Sequence, residues 1–180
     1  MPNWCENTLR VVPLTDAARD MLPKIIERFS TTWIARGGES AFQFIHPMPS
    51  ELEGTTAPGD GPNWYQWRIS NWGTKWEENE PQIVRSSEDC LLVSFSTAWA
   101  PPVGVYNRLC ELGFDVLATY AEQGMGFAGY WHNGDDTELS LTGVNVPDEN
   151  NDYPEDWEVL EKVFAESGLD SELLPSGLGG

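Results

Sequence analysis

Basic residues are scarce in this chain. Lysine and arginine number 10 against 29 aspartates and glutamates, a formal net charge of -19 over 180 residues. A surface of that sign repels a phosphate backbone or an anionic membrane, which argues against direct binding of nucleic acid and against electrostatic membrane attachment. Cysteine is also sparse: Cys5, Cys90 and Cys110 are far apart and form no CxxC pair. That rules out a disulfide framework and fits small buried thiols in a reducing compartment. No apolar run approaches 18 residues, and no basic start leads into an apolar segment of signal-peptide type. The protein is therefore expected to be soluble and cytoplasmic, with no membrane partner.

The usual catalytic patterns are missing too. His46 and His132 are the only histidines, and neither HExxH nor paired-cysteine spacing occurs, so no metal site is expected. His132 stands near Asp135 and Asp136, with Glu122 on the preceding strand. Such carboxylates can hold Mg²⁺ for phosphoryl chemistry, but HNGDD is also ordinary turn composition at a hairpin tip. There is no GxSxG elbow. Cys5 beside Glu6 is the nearest candidate nucleophile, but it reads more readily as a small hydrophobe in the first strand. GMGFAG (124–129) has neither the Walker lysine nor Rossmann spacing and suits a strand bend or close backbone approach. No catalytic residue and no cofactor is assigned, and a non-enzymatic role is expected.

What the chain does have is aromatic surface. Aromatic residues make up 12%, nine of them tryptophan, within a composition that is 40% hydrophobic. This is globular composition, and 180 residues can bury a core without disulfides or metal. NWCENTLRVV reads as a first strand ending at Pro13, and TDAARDMLPKIIERF as an amphipathic helix capped by Thr15 and kinked or restarted at Pro23. The alternation in AFQFIHP predicts a second strand. A Pro- and Gly-rich loop follows to Pro62, then a short helix carrying Trp64 and Trp67 that closes at Gly73. QIVR and the run from Cys90 to Phe95 form a predicted hairpin around Ser86–Asp89. APPVGVYNRLCELG is a helix with Pro at its start and Gly113 at its end, FDVLATYAEQG a strand, and the segment through Asn133-Gly134 another hairpin.

This order predicts an α+β fold, a ferredoxin-like sandwich with helices on one face of a mainly antiparallel sheet, over residues 1–145 and interrupted by a Trp-rich insert. After Val146 the chain turns acidic, with ten carboxylates against Lys162 and about half of the net charge. Within this extension (146–180), PEDWEVLEKVFAESG spaces Trp157, Leu160, Val163 and Phe164 as an amphipathic helix. It is expected to dock on the domain or on a partner.

The candidate binding residues lie in the aromatic loops: Asn71, Trp72, Thr74, Lys75 and Trp76 in NWGTKW, Thr97 and Trp99 in TAWAPP, and Glu122. Trp72, Trp76 and Trp99 can form a stacking platform or an anchor pocket, with Lys75 meeting a phosphate or carboxylate. They can equally fill the core, leaving Lys75 in solvent.

Five ordered blocks, MPNWCENTLRV, FQFIHPMPSEL, NWGTKW, FSTAWAPP and YAEQGMGFAG, together resemble the YubB ferredoxin-like family carried by phages and conjugative plasmids, across roughly residues 1 to 145. The resemblance implies a ferredoxin-like domain from a mobile genetic element and a bacterial cytoplasm, and it brings no catalytic assignment. The expected function is an acidic binding protein engaging a basic host protein, as an inhibitor or nucleic-acid mimic serving against host defence. The alternative is a nucleotide or small-anion binder, or a phosphohydrolase with Glu122 as base or metal ligand. A homo-oligomer joined by a sheet edge or the final helix is a third reading.

Overall fold

Alternating inward side chains build the first strand, β1 (Trp4–Pro13), which buries Cys5, Asn7, Leu9 and Val11 and leaves Trp4 and Glu6 exposed. The structure is a computed structural model that describes residues 3–30, 33, 35, 37–57, 61–122 and 124–140. Thr15 caps α1 (Asp16–Arg28), its side chain accepting from the Ala18 N–H at 3.1 Å, and Ala18, Leu22 and Ile25 form the buried stripe. The helix does not restart at Pro23: α1 runs through it as one element. Arg19 and Pro23 both lie on the exposed side, where water can satisfy the carbonyl that proline leaves without a donor.

The predicted strand at AFQFIHP is a correction: residues Ala41–Ile45 form a short helix, α2. Three of the N–H groups at its amino end have side-chain acceptors. Ser40 accepts from Gln43 at 3.1 Å, and the Glu78 carboxylate accepts from Ala41 at 2.6 Å and Phe42 at 3.2 Å. With those donors satisfied, a one-turn helix buries Ala41, Phe42 and Ile45 together, which a strand would place on opposite faces. A 3-10 turn (Ser50–Leu52) and α3 (Trp64–Asn71), capped by Asn63, complete the insert.

The remaining elements are β2 (Asn79–Ser86), β3 (Leu91–Ala98), α4 (Val103–Glu111), β4 (Phe114–Glu122), β5 (Phe127–His132) and β6 (Asp135–Ser140). They match the predicted hairpins and helix, including Asn133-Gly134 at the β5–β6 tip, both with positive φ as that tight turn requires. The sheet order is β2-β3-β1-β4-β5-β6 with every neighbouring pair antiparallel. Strands β1 to β4 with α1 and α4 make the ferredoxin-like βαββαβ arrangement, and the β5–β6 hairpin widens the sheet beside β4. One continuous core joins the helices to one sheet face, with Leu9, Phe95, Val116, Tyr120 and Trp131 meeting Leu22, Phe42 and Leu109.

The acidic extension and its predicted helix lie outside the described residues. Among the described residues, no helix is long and apolar enough to cross a membrane.

Candidate functional site: an aromatic end of the sheet

NWGTKW folds back on TAWAPP through backbone contacts that tolerate no extra atoms. A Cβ on Gly104 would stand 1.9 Å from the Asn71 carbonyl oxygen, and the Gly104 N–H donates to the Trp72 carbonyl at 3.1 Å. Gly73 adopts φ +90°, a left-handed conformation that glycine allows without strain. The Thr74 hydroxyl then donates to the Ala98 carbonyl at 2.9 Å, pinning the loop to the end of β3. These contacts turn the predicted binding residues in different directions.

Trp72 points inward. It is fully buried, packs edge-on against Phe42 and Trp67, and donates its indole N–H to the His46 carbonyl at 2.8 Å. It is a core residue. Thr74 and Thr97 are buried as well. The Thr97 hydroxyl donates to the Ala100 carbonyl at 2.8 Å and accepts from Asn7 at 2.9 Å, while Tyr106 donates to the same Asn7 side chain at 3.0 Å. The network satisfies buried polar groups where β1, β3 and α4 meet. Half-buried Asn71 donates to the Trp67 carbonyl at 2.8 Å and finishes α3.

Glu122 is also occupied. It is buried at the end of β4, where its carboxylate accepts from the Gly124 and Met125 N–H groups and closes the turn into β5. His132 stands at the far end of the β4–β5 ladder, since Glu122 pairs with Phe127 and Leu117 with His132. Instead, His132 lies 3.3 Å from Asp115, which also takes a 2.7 Å bond from Asn133 and pairs with Arg10. These partners hold the Asp115 carboxyl below its ordinary range despite the opposing effect of burial. Glu122, His132 and Asp135 therefore do not converge, and no metal-holding group of three or more such residues occurs among the described residues.

What remains outward are three indoles. Trp4, Trp76 and Trp99 are 37–42% exposed, with the Trp4 and Trp76 rings 6.0 Å apart. Trp99 has φ +74°, which is costly for a bulky residue, and its N–H donates to the Asn3 carbonyl at 3.0 Å. The ammonium of Lys75 sits 4.1 Å over the Trp76 ring. On the insert side, Trp76 also lines a cleft of about 400 Å³ with Met48, Glu53, Gly54, Trp64 and Arg68. The Arg68 guanidinium lies 4.6 Å over Trp72 and 5.5 Å over Trp64 and pairs with Glu77 at 3.0 Å.

The sequence reading passed over Trp4, Met48 and Arg68 as site residues. Trp4 alternates outward in β1 beside inward Cys5, and that period-two pattern is the signal available for it. Arg68 sits four residues after Trp64 on α3, the helical spacing that brings cation and indole together.

No family model matches the chain, and no curated protein matches it. Among solved structures it is similar to the crystal structure of a protein, api92, from Yersinia pseudotuberculosis, described under the family model DUF1281. The identity is 10% and the TM-score 0.45, over 78% of this chain and 98% of that one.

Proposed function

We propose that this chain is a non-enzymatic binding protein whose acidic body engages a basic protein partner and holds it at the aromatic end of the sheet. The observation that carries this reading is the partial exposure of Trp4, Trp76 and Trp99, with Trp76 also lining a cleft, on a chain of net charge -19. Large indole faces are the usual anchors of interfaces, and carboxylates of one sign speed encounter with an opposite surface. Arg10, Arg19, Arg28, Arg68 and Arg108 are each in an intramolecular ion pair, which blunts the positive charge they present outward. The resemblance to the YubB-type family adds the setting: a phage or plasmid protein in the bacterial cytoplasm, occupying a basic host protein that otherwise serves in defence or holds nucleic acid.

The test is capture from plasmid-bearing bacterial cells by the full chain and by its Trp76→Ala/Trp99→Ala variant, at low and high salt. A basic partner retained by the first, released by salt and lost with the second is expected. Partners held equally by both proteins, or held through high salt, count against the proposal.

A second reading is supported by Lys75 and Arg68, cations seated on indole faces beside the cleft. Such pairs can stack a base and meet its phosphate. Unchanged tryptophan emission and melting temperature across a panel of nucleotides, with and without Mg²⁺, would remove that alternative.

A further inference from the structure

Helices cover one face of the sheet, and residues pointing away from them ought to be wet. They are not. In the rows opposite the core, cross-strand neighbours Leu92, Arg10, Leu117 and Thr8, Thr119 lie beside Ala121 and Ala128. None of these belongs to the core that the helices bury. Yet Thr8, Leu92, Leu117, Thr119, Ala121 and Ala128 are each at most 8% exposed. Arg10 Nε and Thr119 Oγ1 on the same face are buried without a hydrogen-bond partner. Such a patch, of two leucines, small side chains and orphaned donors, is the surface of an interior rather than of a solvated sheet.

We propose that this patch is the docking surface of the chain's own acidic extension, residues 146–180. The extension is what the length of chain beyond β6 supplies. Residues 141–153 form a connection that can reach about 40 Å when extended, starting from Ser140 at the sheet edge. PEDWEVLEKVFAESG then carries an apolar stripe of Trp157, Leu160, Val163 and Phe164. A helix of that length spans roughly 22 Å, enough to lie across β3, β1, β4 and β5, whose three spacings total about 14 Å. Of the charged groups on this face, Arg85 on β2 can meet a carboxylate of the extension, while Arg10 and His132 already face Asp115 and Glu6 accepts from Ser96. In this arrangement the helix turns its carboxylates outward and makes the sheet a three-layer structure.

The experiment uses the full chain and a soluble paramagnetic probe, read by NMR of the leucine and valine methyl groups. In the native protein the methyls of Leu92 and Leu117 should be as protected as those of Leu9 and Val93 on the helix side. In Trp157→Glu/Phe164→Glu, relaxation of Leu92 and Leu117 should rise several-fold while Leu9 and Val93 stay protected, which also shows that the variant is folded. The proposal is overturned if Leu92 and Leu117 are exposed in the native chain. It is equally overturned if the tail substitutions leave their protection unchanged. Protection that disappears on dilution assigns the face to a second copy and overturns it as well. Should the double substitution unfold the protein, the single Leu160→Ala variant is read in the same way, with a smaller rise expected.

Discussion

Replacing Glu78 by glutamine tests the account of α2. Glu78 is buried, and its carboxylate accepts the Ala41 and Phe42 N–H groups. Burial pushes its pKa up from 4.5 to about 7 against the lowering effect of those donors, with Glu77 adding a smaller upward push. A carboxyl whose folded pKa is raised favours the native state most where it is protonated. Its contribution is fully present below pH 4.5 and is lost as pH rises through about 7. A rise of that size corresponds to about 3 kcal/mol between the two limits. Glutamine cannot titrate, and its amide oxygen can serve only part of the two-donor site, so the variant carries a fixed cost of about 1 kcal/mol or more. The informative quantity is therefore the stability difference between the two proteins, measured by urea unfolding from pH 4 to pH 8. It should shift in favour of glutamine as pH rises, by up to about 3 kcal/mol. Comparing the two proteins cancels the self-repulsion of the other carboxylates, which slopes the same way. A difference that stays flat across this range would refute the reasoning.

The tryptophans should separate into two classes: Trp72→Ala loses a buried indole and its hydrogen bond, costing about 3–5 kcal/mol in denaturant unfolding, whereas Trp76→Ala costs less than about 1 kcal/mol. Gly104→Ala drives a Cβ into the Asn71 carbonyl and should destabilise by about 1–3 kcal/mol, with thermal unfolding as the measurement. Burial raises the Cys5 thiol to about 12, so in native protein at pH 8 a thiol reagent should label Cys90 and Cys110 first and reach Cys5 only on unfolding.

Much of this architecture is legible in the sequence because local chemistry and tertiary structure agree. Thr15 caps α1, Gly113 ends α4, Asn133-Gly134 turns β5 into β6, and β1 ends at Pro13. AFQFI defeated that reading because its alternation satisfies a strand, while the group that holds its helical N–H donors, Glu78, is supplied 37 residues away. The candidate site divides along the same line. Sequence marks NWGTKW and TAWAPP as aromatic loops. Which indole is core and which is surface depends on the approach of Gly104 to Asn71 and on the Thr74 bond to Ala98, contacts between residues 24 or more apart.

The sequence alone determined the charge, the places where the chain turns and, AFQFI apart, the order of strands and helices, since these follow from residue types and their near neighbours. Only the tertiary structure decided that Trp72 and Glu122 are interior, that Trp4 joins Trp76 and Trp99 at the surface, and that a patch of the sheet face away from the helices is buried. Burial is a property of what packs across space, and no spacing along the chain records it.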